Sequence, residues 1–124
     1  MFAKAFEHYD SFRENRLTKR RFSAALWQEL ITEWSTHFAI RELGKTEEGR
    51  PIHEVKWGEG PIQIIAWSQM HGDEATATMA LADIFRLLAT TTDISTDIKQ
   101  KLHQKITLRI IPRLNADGAE RWQR

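Results

Sequence analysis

The sequence contains no cysteine, which excludes disulfides, thiolate metal sites and cysteine nucleophiles together. Any metal site must therefore be built from histidine and carboxylates. Long apolar runs are missing too. No stretch approaches the roughly 20 residues needed to span a bilayer, and the opening Phe2-Ala3-Lys4-Ala5-Phe6-Glu7-His8 has no apolar core of the secretory kind. These absences point to a cytoplasmic protein without membrane contact. An excess of charge of one sign is also absent: formal net charge is +1, so no overall field gathers nucleic acid or anionic lipid. The local exception is Arg13, Arg16, Lys19, Arg20 and Arg21, which Glu14 dilutes and no glycine or aromatic residue interleaves. A nucleic-acid platform would want such interleaving, so a solvated helix face and no nucleic-acid partner are expected.

What is present fits one compact domain of 124 residues with 41% apolar and 28% charged residues. From Lys19 to Ser35, Phe22, Leu26, Trp27, Leu30, Ile31 and Trp34 recur at intervals that gather them on one helix face, with Thr18 as N-cap. Residues 1–36 thus read as an N-terminal helical segment and 37–124 as an α/β part. Phe38–Leu43 and Ile52–Trp57 alternate as strands around a Gly44–Pro51 hairpin loop. Ile62–Trp67 is almost continuously apolar, which predicts a strand covered on both faces. A helix is expected from Thr76 to Ala89, a polar threonine-rich connection from Thr90 to Asp97, and a short helix from Ile98 to Gln104. A second apolar strand follows over Ile106–Pro112, and Asn115–Gly118 then turns the chain. Strand, helix and second buried strand make a βαβ unit in a parallel or mixed sheet.

Of the five histidines, only His71 has a carboxylate three residues on, in His71-Gly72-Asp73-Glu74. The pair lies between a buried strand and a helix, at the sheet edge where open α/β sheets place ligands. Gly72 is expected to let the backbone turn sharply, so that imidazole and carboxylate converge. A neutral imidazole and a carboxylate make two of the three protein ligands of a catalytic zinc. The structural alternative is that His71 caps a strand and Glu74 rests in the first turn of the next helix, favoured by its dipole. Asp73 is expected to point away. Asn115–Gly118 should lie at the same edge if the two strands are parallel, as a structural turn that shapes the site. Beyond it, Arg121 and Arg124 are surface charges, or arginines that polarise a carbonyl or hold a carboxylate. Ser68 lacks the flanking glycines of a nucleophile elbow, and Trp27 and Trp34 belong to the core.

Ser68-Gln69-Met70-His71-Gly72-Asp73-Glu74 resembles the first metal-binding motif of the zinc carboxypeptidases of peptidase family M14 (carboxypeptidase A-like). Gly44-Lys45-Thr46-Glu47-Glu48-Gly49-Arg50-Pro51-Ile52 is similar to the family's upstream "G-x-S-x-E-G-R-x-I" segment. Pro112-Arg113-Leu114-Asn115-Ala116-Asp117-Gly118 is similar to its "P-x-x-N-P-D-G" segment, with Ala116 where proline is usual. The wording is closest to a bacterial branch of the family. The resemblance implies the N-terminal part of a mixed-sheet fold with helices on both faces, preceded here by the N-terminal helical segment. It implies one Zn2+ per complete active site, with His71 and Glu74 as ligands, and a peptide as the substrate. Arg124 would polarise the scissile carbonyl, with Arg121 as a weaker match and a substrate-binding candidate. The family's third zinc ligand, carboxylate-gripping residues and general base come later in its sequences. This chain is therefore expected to be an incomplete peptidase domain, inactive alone and partnered by the missing C-terminal half. Two alternatives stay open: a zinc deacylase of the aspartoacylase type, and a non-catalytic scaffold or binding module.

Overall fold

The computed structural model describes residues 6–90 and 96–124. The first residues of the opening segment, and residues 91–95 of the expected polar connection, lie outside the described residues. Four strands, β1 (Ala39–Lys45), β2 (Pro51–Trp57), β3 (Ile62–Trp67) and β4 (Ile106–Ile111), form one sheet in the order β1-β2-β4-β3. β1 with β2 and β2 with β4 are antiparallel, whereas β3 and β4 are parallel. The fold is therefore α/β with a mixed sheet. The helical elements are α1 (Tyr9–Phe12), α2 (Ala24–Trp34), α3 (Thr76–Ala89), α4 (Thr96–Lys105) and α5 (Ala116–Arg121). No helix among the described residues is long and apolar enough to cross a membrane.

The register explains where the core forms. Ile40 pairs with Val55, Val55 with Ile110, and Ile110 with Ala66, which puts one apolar row across all four strands. Trp27, Leu30, Ile31 and Trp34 of α2, with Ala82 and Phe85 of α3, close over that row. Trp34 meets Phe85 edge-on at 5.0 Å between ring centroids, and Trp27 at 5.5 Å. Such pairs add about 0.5–1.5 kcal/mol beyond the area they bury. Trp27 and Trp34 are thus core residues, as their spacing predicts, and α2 shares one core with the sheet.

Three local expectations change. The helix expected from Lys19, α2, begins at Ala24. Ser23 is its N-cap and accepts from the Leu26 amide at 3.1 Å. Phe22, just before the cap, packs on Trp27 four residues into the helix, a hydrophobic staple that fixes where the chain enters. Lys19, Arg20 and Arg21 are exposed but precede the helix, so they are not one of its faces. Asn115–Gly118 is more than a turn: Asn115 caps α5, its side chain accepting from the Gly118 amide at 2.9 Å. The largest change concerns β3. Its apolar texture predicts cover on both faces, yet Ile62, Ile65 and Trp67 are 58%, 61% and 57% exposed. The reason is position: β3 is the last strand of the sheet, and no described strand lies beyond it.

Away from α2 and α3, the sheet carries charge. Glu54 is buried and takes hydrogen bonds from Arg41 Nε at 2.9 Å and Arg109 Nε at 3.0 Å. Burial alone would raise its pKa, but these two guanidinium groups hold it below the usual carboxylate range.

Candidate metal centre

Because β3 and β4 run parallel, their C-terminal ends lie at one edge, and the loops that leave them stay paired. Ser68 N donates to Ile111 O, Leu114 N to Ser68 O and Asn115 N to Gln69 O, each at 3.1 Å. Gln69 takes a positive φ of 51°, which turns the chain out of the strand. A buried polar knot then fixes the loop. The Thr78 hydroxyl lies 2.8 Å from Ser68 Oγ and 2.9 Å from Gln69 Oε1, while Gln69 Nε2 donates to Gly72 O at 2.8 Å. Ser68 Oγ also donates to Pro112 O at 2.6 Å, so it is spent on structure and is no nucleophile.

Gly72 serves this loop differently from the expected sharp turn. Its φ is not positive. A Cβ there would stand 1.9 Å from the carbonyl carbon of Gly118, so glycine is required because the backbone of α5 passes against it. The two sheet-edge loops are thereby held in contact.

His71, Glu74 and Arg124 come together on top of this frame. His71 Nδ1 lies 3.2 Å from Glu74 Oε2, and Arg124 Nη2 lies 3.1 Å from His71 Nδ1 and 3.6 Å from Glu74 Oε1. Their side chains are 34%, 59% and 68% exposed, so the cluster opens to solvent. Arginine can only donate. His71 Nδ1 faces that guanidinium and a carboxylate oxygen together, and its role as donor or acceptor follows the tautomer. An imidazole and a carboxylate therefore lie side by side, two of the residue types that bind catalytic zinc. Among the described residues, no three His, Asp or Glu side chains come close enough to hold a metal ion together. Asp73 is not a third member, and its Oδ1 is buried without a hydrogen-bond partner among the described residues.

Arg121 goes elsewhere. It pairs with Glu48, which also pairs with Arg50. Arg50 Nη1 and Thr46 Oγ1 in turn donate to Asp117 Oδ1 at 2.6 Å and 2.7 Å. Asp117 thus ties the Gly44–Pro51 hairpin loop to the helix beside the His71 loop, and three segments far apart in sequence become one assembly. Sequence reasoning missed Asp117, Gln69 and Thr78 as the groups that do the holding. Their only signal was polarity inside apolar or turn segments, which many unimportant residues share.

An open mixed sheet that gathers histidine, carboxylate and arginine at one end of a parallel pair places them where open α/β sheets hold their ligands. The sequence profile described as "Zinc carboxypeptidase" matches residues 24–124, and the chain belongs to that family. Solved structures agree. A candidate carboxypeptidase from Burkholderia mallei is 25% identical with a TM-score of 0.74, covering 83% of this chain and 28% of its own. A metallo-carboxypeptidase from Burkholderia cenocepacia is 22% identical with a TM-score of 0.74, covering 83% of this chain and 30% of its own. A metallo-carboxypeptidase from Pseudomonas aeruginosa, solved with (2-guanidinoethylmercapto)succinic acid, is 21% identical with a TM-score of 0.70, covering 83% and 28%. The latter two share the fold. This chain spans under a third of the length of these three proteins. No curated protein matches the sequence.

Proposed function

We propose that this chain is the metal-binding N-terminal portion of a zinc-dependent carboxypeptidase, with His71 and Glu74 as two of the ligands. The observation that carries the proposal is the 3.2 Å approach of His71 Nδ1 to Glu74 Oε2 beside a guanidinium, at the C-terminal end of the parallel pair. Zinc bound by these groups would supply Lewis acidity for hydrolysis of a C-terminal peptide bond. The chain's own residues have distinct tasks. The Ser68–Gln69–Thr78 knot and the Gly72–Gly118 contact keep the His71 loop in place. Arg124, the most exposed of the three, is free to swing from the ligands toward a substrate carbonyl or carboxylate. Arg121, held by Glu48 on the flank, would reach a peptide only by leaving that partner.

Catalytic zinc takes three protein ligands, and the described residues bring together two. We infer that the third ligand and the general base come from the part of the family's length this chain does not span, and that this chain alone hydrolyses nothing. The test is zinc content and release of C-terminal residues by the gene product extended past Arg124, beside His71→Ala and Glu74→Gln variants. About one zinc per molecule, with activity lost in both variants, is expected. Release of the acyl group from N-acyl amino acids instead would replace the reading with a zinc deacylase. A folded, metal-free, inactive product would leave a scaffold.

A further inference from the structure

A cavity of about 290 Å3 lies under the start of α2, and none of His71, Glu74 or Arg124 lines it. Its walls include Trp27, Arg50, Pro51, His53, Pro112 and Arg113, and no carboxylate is among the lining residues. Arg113 is the unusual member. Its side chain is only 4% exposed, and its Nε and Nη2 are buried without a hydrogen-bond partner among the described residues. A buried guanidinium with donors left unfilled is costly, because it gives up water without an equivalent return.

The nearby groups compensate it poorly. Phe22 offers its ring face 5.4 Å from the guanidinium carbon. Glu120 Oε2 is 3.5 Å from Nη2, beyond a good charge-assisted bond, and it already accepts from the Ala24 amide at 2.8 Å. Burial pushes the Arg113 pKa down, with a small contribution from Arg50, which is itself paired with Glu48 and Asp117. His53 is pushed toward its neutral form by burial, so it can donate or accept without adding charge. The start of α2, an 11-residue helix, contributes the positive end of its dipole at Ala24 and Ala25. No carboxylate lines the cavity itself, whose wall around Arg113 combines an indole, two prolines and alanines with Gln28, Arg50 and His53.

We propose that this cavity binds a small oxyanion, a carboxylate or phosphate on a compact apolar body, with the Arg113 guanidinium as its anchor. The site is separate from the His71–Glu74 pair and does not depend on the chain being a peptidase. Benzoate, inorganic phosphate and neutral benzamide are titrated at constant ionic strength into the isotopically labelled chain, following the Arg113 Nε–H and the Ala25 amide by NMR. Saturable shifts of both signals with benzoate or phosphate are expected, the tighter of the two naming the carried group. Benzamide should bind about tenfold more weakly or worse, the share of affinity a charge-assisted pair supplies. Arg113→Gln should lose the response by a similar factor, and Arg113→Lys, which keeps the charge without the fork, should fall between. Arg109→Gln, which touches Glu54 outside this cavity, should leave it unchanged. Linear, non-saturating shifts, benzamide equal to benzoate, or full binding by folded Arg113→Gln would each overturn the proposal.

Discussion

The two parallel strands have similar sequences and opposite fates. β4, Ile-Thr-Leu-Arg-Ile-Ile, lies between β2 and β3, and its Thr107 and Ile110 are buried. β3, Ile-Gln-Ile-Ile-Ala-Trp, stands at the end of the sheet with Ile62, Ile64, Ile65 and Trp67 exposed. Composition does not separate them; position in the strand order does. An apolar strand says that cover is energetically favoured, but not which segment supplies it. In this chain α2 and α3 cover the row through Val55 and Ile110, while the outer edge of β3 has no described neighbour.

The sharpest way to break this comparison is to remove one large side chain from each region. Trp34 is 1% exposed and sits between Trp27 and Phe85. Trp34→Ala should cost about 4 kcal/mol, a large part of the roughly 5–15 kcal/mol that holds a domain together. Trp67→Ala on β3 should cost under about 0.5 kcal/mol. Urea unfolding of both variants decides it, and equal losses would mean that the edge is covered after all.

Next in size is Gly72→Ala. The new methyl meets backbone of α5 rather than a side chain that could rotate away, so the two sheet-edge loops must part. A loss of about 3 kcal/mol is expected, with faster amide exchange confined to the His71 loop and the start of α5. Unchanged exchange there would show that the loops are not braced by this contact.

Glu14 sharpens the contrast on the helical side. Its carboxylate is buried and accepts from Arg16 Nε and Nη2, both at 2.8 Å, with Arg86 at 3.5 Å. Burial would raise its pKa, but the hydrogen bonds from Arg16 outweigh that and hold it low. A carboxylate depressed in the folded state contributes stability above its unfolded pKa, about 4.3, and loses it as pH falls through the folded value. Glu14→Gln should cost about 2 kcal/mol at neutral pH and flatten the acid limb of the stability profile. Glu54, also held low by its arginines, would keep part of that limb. An acid limb of unchanged steepness would remove Glu14 from the account.

How much of this was legible in the sequence follows the range of each interaction. β3 and α3 have the residue bounds that periodicity predicts, because apolar spacing is a local signal. The true start of α2 was hidden because Thr18 and Ser23 are both plausible caps, and only the packing of Phe22 on Trp27 chooses between them. His71 and Glu74 stood out by spacing and by resemblance, whereas the contact of Arg124 with both required the fold. Asp117 could not be assigned from its own segment, since its partners Thr46 and Arg50 lie some 70 positions away. Its role is a fact about two loops meeting.

The smallest expected effect tests the exposed side of the comparison most directly. Ile65 is 61% exposed on β3 and pairs across to Arg109 rather than to another apolar residue. Replacing it with lysine removes little buried area, so the stability of this chain should change by less than about 0.5 kcal/mol. A lysine at a sheet edge does oppose pairing with a second strand. Ile65→Lys should therefore lower concentration-dependent association of the chain, read by sedimentation or light scattering, while urea unfolding stays put. In the extended gene product the same substitution should become destabilising by about 2 kcal/mol if further chain covers that strand. A neutral effect there too would mean that the exposed edge is a permanent surface, and that its apolar texture serves a partner rather than the fold.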